Sequence, residues 1–278
     1  MKMFGADSRF YRIVREERLF CAVLAHLLME NGRNLTSFID LVNSKLGDDS
    51  PIPSDRANEA EIYIEFTFLR DHWKSLGNDN DRRRGLIFEL LSKVKSLSGY
   101  QDSDFPSAVS EFNAHFMGKR GARVVRDIAY PGQWSVVTLA ERFGAEPDEF
   151  RDFCRFKWAF NIKPDIVVSL PDSRPLCIEA KLESGEGQYP SSLREAEAFD
   201  AVFGAGKGKV RQVELQKFMF DRLLDSPCQP LTIGLAPERH VDAPFVSWAE
   251  VFAALDLGRS LAFVEHLAEQ NIFVQGTA

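Results

Sequence analysis

KPDIVVSLPDSRPLCIEAK, Lys163–Lys181, carries two apolar runs that read as buried strands, IVVSL and LCI, separated by the turn-forming PDSRP. Charge sits where burial makes it costly: Asp165 precedes the first run, and the second runs into Glu179 and Lys181. Side chains alternate along a strand, so Glu179 and Lys181 share one side while Ile178 and Ala180 take the other. Paired as a hairpin, the two strands bring Asp165 beside Glu179. Adjacent carboxylates repel and raise each other's pKa unless a cation lies between them. A divalent metal resolves that conflict, and hard oxygen donors with room for water and phosphate describe a Mg²⁺ site, in which Mn²⁺ can substitute. Lys181 is then placed to orient or deprotonate a metal-bound water, or to steady charge developing on phosphorus.

Outward from this hairpin, the chain alternates between helical and strand patterns. Toward the N-terminus, Leu19, Phe20, Val23, Leu24, Leu27 and Leu28 form a helical stripe, and LTSFIDLVNSKLG continues as a second helix. EAEIYIEFTFLRDHWKSLG reads as a third helix, with IYIEFTF aromatic and β-branched enough to keep a strand open; DRRRGLIFELLSKVKSLSG reads as a fourth. Residues 1–115 are therefore expected to be a mostly helical region, able to supply a first core helix, and residues 116–278 the catalytic core with a C-terminal helix. Short strands or mixed segments are expected in GARVVRDIAYP and QWSVVTLAERFG, a helix in GKVRQVELQKFMFDRLLD and a strand in PLTIGLAP. VSWAEVFAALDLGRSLAFVEHLAEQ reads as closing helix. The order helix, three strands, helix, strand predicts an α/β domain with a mixed sheet flanked by helices.

Pro164-Asp165, a hairpin and Glu179-Ala180-Lys181 together resemble the signature of the PD-(D/E)XK nuclease superfamily, the restriction-endonuclease-like fold. The resemblance covers about residues 120–240. It implies metal-dependent phosphodiester hydrolysis, with Asp165 and Glu179 as metal ligands and Lys181 assisting. Some branches carry a Gln on the following helix, which here points to Gln212, with Gln216 one turn on. Many members add a Glu from the first core helix. Glu17, Glu61 and Glu65 are the candidates, and Glu17 is preferred because its helix has the better apolar stripe. By the same resemblance the substrate is nucleic acid, DNA ahead of RNA, and a role in defence against foreign DNA fits. The competing reading is a catalytically silent module of this fold that binds nucleic acid or recruits a protein; a homodimer or a partner protein is compatible with either.

Composition narrows the field. At 278 residues, 45% of them hydrophobic and 23 of them Phe, the chain is long enough for a well-filled core. The absence of a bilayer-length apolar run and of a signal-type N-terminus predicts a cytoplasmic protein with no membrane partner. Four scattered cysteines without C-x-x-C spacing fit reduced thiols and argue against structural zinc. A net charge of −7 disfavours nucleic-acid binding by bulk charge and leaves local patches: Arg82–Arg84, the group Lys119, Arg120, Arg123 and Arg126, and the loop lysines Lys207 and Lys209. GAGKGK, Gly204–Lys209, lacks the spacing and hydroxyl of a phosphate loop and reads as a flexible turn. The histidines show no metal-binding spacing, and no Gly-x-Ser-x-Gly context is present.

Overall fold

The computed structural model describes residues 17–46, 51–182, 185–235 and 243–257. In chain order these form α1 (Glu17–Glu30), α2 (Gly32–Leu46), β1 (Glu61–Ile64), α3 (Phe68–Ser75), α4 (Asn80–Ser92), α5 (Val109–Ala122), α6 (Val136–Phe143) and α7 (Pro147–Ala159). There follow β2 (Ile166–Ser169), β3 (Leu176–Ala180), β4 (Gln188–Tyr189), α8 (Leu193–Phe203), β5 (Val210–Arg211), α9 (Gln212–Phe218), β6 (Gln229–Gly234), β7 (Phe245–Ser247) and α10 (Trp248–Ala254).

Two compact units share the chain. One takes the described residues up to Phe66, then those of Pro164–Glu186, and resumes at Cys228; the other is Thr67–Lys163 with Gly187–Pro227. The second unit is thus inserted into the first twice, between β1 and β2 and again between β3 and β6. The boundary expected at 115/116 does not coincide with this division, because it falls inside the second unit.

The first unit is built on a five-stranded sheet in the order β1-β2-β3-β6-β7. β1–β2 and β2–β3 are antiparallel, β3–β6 and β6–β7 parallel. The mixed sheet flanked by helices agrees with the expectation from sequence. One face buries Ile166, Val168, Ile178, Ala180, Leu231 and Ile233 against Phe20, Leu24 and Leu27 of α1, Phe38 and Val42 of α2, and Trp248 and Val251 of α10. Each of the Ile, Val, Leu and Phe side chains among these is worth about 1.5–3 kcal/mol on burial. β3 is buried at every position, which is why Leu176, Cys177 and Ile178 run apolar without alternation and why Glu179 stands out as a buried charge.

Segment 61–64, read first as helix, is strand β1, paired residue for residue with β2 from Glu61↔Ser169 to Ile64↔Ile166. Where short strands or mixed segments are expected, in 121–131 and 133–144, the structure has the end of α5, turns and α6 and no strand. Val136 and Val137 resemble a strand locally, but Ser135 caps a helix by accepting from the Thr138 N–H, and Val136 and Leu139 are buried along it. The helix expected over GKVRQVELQKFMFDRLLD begins only at Gln212, after the short β5, and its last turn, Met219–Leu223, is a π-helix. Of the closing helix, Trp248–Ala254 is α10; Val246 and Ser247 belong to β7, residues 255–257 are not helical, and the rest of that expectation lies outside the described residues.

The second unit is packed around aromatic rings: Phe116 stacks on Trp134 at 4.0 Å and Phe143 on Phe153 at 4.1 Å. The abundance of Phe is spent here. Among the described residues, no helix is long and apolar enough to cross a membrane.

Candidate active site

Asp165 stands one step before β2, after a proline whose missing N–H suits a strand start. Its backbone is held from β1: the Glu65 N–H donates to the Asp165 carbonyl at 2.8 Å and the Phe66 N–H to the Pro164 carbonyl at 3.0 Å. Its side chain reaches β3, where Oδ2 accepts from the Ala180 N–H at 2.8 Å. The pairing Ile166↔Ile178, carried one step further, sets Asp165 opposite Glu179.

Glu179 lies in the central strand and is 2% exposed. A carboxylate this buried needs a partner, and Lys181 Nζ donates to its Oε1 at 2.5 Å. Lys181 is anchored through its backbone: its N–H donates to the Ile233 carbonyl at 2.7 Å, and its own carbonyl accepts from Trp248 Nε1 at 3.0 Å. The far partner comes from the start of α1. Glu17 Oε1 accepts from the Leu182 N–H at 3.2 Å, and Oε2 lies 3.9 Å from Lys181 Nζ.

Three carboxylates, Glu17, Asp165 and Glu179, therefore act on one ammonium. Burial pulls the Lys181 pKa down, but attraction to Glu179, reinforced by their hydrogen bond and by Glu17 and Asp165, outweighs it and the net shift is upward. Lys181 is an ammonium at neutral pH. The Asp165 pKa is raised, first by burial and then by the charges of Glu17 and Glu65, against the opposing pull of the Ala180 N–H and Lys181. The cluster carries an excess of negative charge.

Of the other glutamates expected as alternatives, Glu61 is exposed on β1, where it accepts from the Tyr63 hydroxyl. Glu65, at φ +49°, pairs its carboxylate with Arg18 Nε at 2.9 Å, and its charge adds to the surroundings of Asp165. The two do not share a helical face, since the segment is a strand. Gln212 belongs to the second unit, where it opens α9 and donates its N–H to the Gly187 carbonyl at 2.9 Å. A Cβ on Gly187 would come within 2.5 Å of the Gln212 Oε1, so that glycine permits a close approach. Gln216 is buried in the same unit.

Sequence reading missed three residues near the carboxylates. Cys21 is one turn after Glu17, and its thiol is pushed up first by burial and then by Asp165, Glu179 and Glu17, which disfavours the thiolate. The i, i+4 spacing from Glu17 was a usable signal for it. Trp248 and Thr232 arrive through β7–α10 and β6, and nothing local to them marks them.

Among the described residues, no group of three or more His, Cys, Asp or Glu side chains is arranged to hold a metal ion. The carboxylates that the strand pairing sets opposite each other are those of Asp165 and Glu179. Two hard oxygen ligands and surplus negative charge fit a Mg²⁺ that keeps most of its coordination for water and phosphate.

The basic groups separate. Arg84 is committed inside the second unit: it pairs with Asp102, donates to the Pro106 carbonyl at 2.7 Å and lies 4.4 Å over the Phe112 ring. Arg83 lies 5.3 Å over Trp73. Lys119, Arg120, Arg123 and Arg126 are exposed, as are Lys207 and Lys209. In the loop carrying those lysines, Gly204, Gly206 and Gly208 all have positive φ, and a Cβ at Gly208 would meet Phe203 at 2.9 Å. The glycines there serve the turn. His115 is half-buried among aromatic rings, and its pKa is lowered to about 4 by burial and by Arg142, which leaves it neutral at physiological pH. Comparison with models of protein families, with curated proteins and with solved structures finds no match to this chain.

Proposed function

We propose that this chain is a metal-dependent nuclease of the PD-(D/E)XK type, hydrolysing phosphodiester bonds in DNA in preference to RNA. The observation that carries the reading is the convergence of Asp165, Glu179 and Lys181 with Glu17 at one end of the central strand. The order in which α1 and the sheet strands β1, β2, β3 and β6 follow one another along the chain supports it, with α8 and α9 of the second unit falling between β3 and β6.

In this reading Asp165 and Glu179 hold the cation. A Mg²⁺ there supplies a Lewis acid and a water of lowered pKa. Lys181, kept protonated by its carboxylates, offers positive charge to the phosphoryl oxygens rather than acting as the base. Glu17 gives the ammonium a second carboxylate beside Glu179 and fixes the backbone after β3.

The test is cleavage of duplex DNA, single-stranded DNA and RNA by the purified chain with Mg²⁺ or Mn²⁺, with chelator as control. Chelator-sensitive DNA cleavage is expected. Faster cleavage of RNA overturns the substrate preference, and binding without any cleavage favours the silent nucleic-acid-binding module. For the phosphate path, replacing Arg120, Arg123, Lys207 and Lys209 with Ala is expected to flatten log K against log salt by about 0.9 for each lost contact to duplex DNA. An unchanged slope places the path elsewhere.

A further inference from the structure

Thr232 is the residue of β6 that pairs with Glu179 in the parallel register, so the two side chains stand next to each other on one face of the sheet. Its neighbours Leu231 and Ile233 point into the apolar core on the opposite face. Thr232 is 3% exposed, its N–H donates to the Pro244 carbonyl at 2.9 Å, and its Oγ1 has no hydrogen-bond partner among the described residues. A buried hydroxyl left unpaired is destabilising, a cost that a Val of the same shape would avoid. The unpaired group lies beside a carboxylate whose Oε1 is occupied by Lys181. Resting on the nuclease reading above, we propose that Thr232 is a positioning residue: its hydroxyl orients a water of the cation held at Glu179 and thereby sets metal affinity.

Three variants and one probe test this. Mn²⁺ binding is measured by calorimetry on the wild type, Thr232→Val, Thr232→Ser and Glu179→Ala, with thermal unfolding of each in chelator. Thr232→Val is expected to bind Mn²⁺ roughly tenfold more weakly, the scale of lost support around a metal ligand. It should unfold no earlier than wild type without metal, while Thr232→Ser keeps the affinity. Equal affinity in wild type and Thr232→Val overturns the positioning role and leaves the nuclease reading standing. A wild type that binds no Mn²⁺, or a Glu179→Ala that binds it unchanged, overturns the metal site and this role with it. Early unfolding of Thr232→Val with unaltered affinity assigns the threonine to packing.

Discussion

Glu179→Ala and Asp165→Ala are each expected to abolish metal-dependent cleavage, lowering the single-turnover rate by roughly a thousandfold or more. Metal charge stabilisation is worth several kcal/mol, and each 1.36 kcal/mol is about tenfold in rate. The two should differ in what they do to the metal-free protein. Glu179 is buried and bonded to Lys181 at 2.5 Å, so its removal strands part of an ammonium's pairing. Glu17 remains 3.9 Å away, which limits the loss to about 3 kcal/mol or less, the lower end for breaking a buried pair. Asp165 is the opposite case, since burial and the charges of Glu17 and Glu65 already disfavour its ionised form. Asp165→Asn keeps an acceptor for the Ala180 N–H and removes the charge, so it should be inactive yet as stable as wild type or more so at pH 7. The sign with pH follows from linkage. The folded pKa of Asp165 lies above the ordinary value of about 3.9, so its contribution to stability is full below that value and is lost as pH rises through the folded pKa. Wild type should therefore gain stability relative to Asp165→Asn on acidification through that window. Unfolding curves across the acid range on both proteins measure it. Undiminished cleavage in both alanine variants would sink the assignment of the metal site.

Lys181→Ala is expected to lower turnover by roughly 10²-fold or more, the usual scale for an acid–base or charge-stabilising group, while nucleic-acid affinity changes little. The ammonium is largely enclosed by Glu17, Asp165 and Glu179, and so contributes little free positive charge for binding. Its raised pKa gives a second readout. That contribution to stability is present below the ordinary lysine value of about 10.4 and is lost as pH rises through the higher folded value. The alanine variant should lack this alkaline fall. A silent binding module requires the reverse kinetic pattern, with affinity lost and no turnover to lose. Binding and single-turnover cleavage on the one variant separate the two, and a loss confined to binding defeats the enzyme reading.

The hairpin was legible in the sequence because everything that makes it is local. PDSRP supplies the reversal, two apolar runs supply the strands, and a period of two puts Glu179 and Lys181 on one side. The face of α1 was legible for the same reason: Phe20, Leu24 and Leu27 recur at helical spacing, and all three are buried. Segment 61–64 was not, since its aromatic and β-branched residues fit either state until β2 lies alongside to accept its hydrogen bonds. Nor were the two units, because the sheet's strands are contributed from both sides of long insertions and composition does not mark where the chain leaves and re-enters. At the site the division runs between neighbouring residues. Sequence alone determined that a buried strand ends in Glu-Ala-Lys after a Pro-Asp. The apolar stripe of α1 favoured Glu17 among the candidate glutamates, but only the tertiary structure shows its contact: it meets the Leu182 N–H across 165 positions, through the packing of α1 on the sheet. It also decided that Thr232 stands beside Glu179, since strand order β3–β6 is a property of the assembled sheet and of no segment within it.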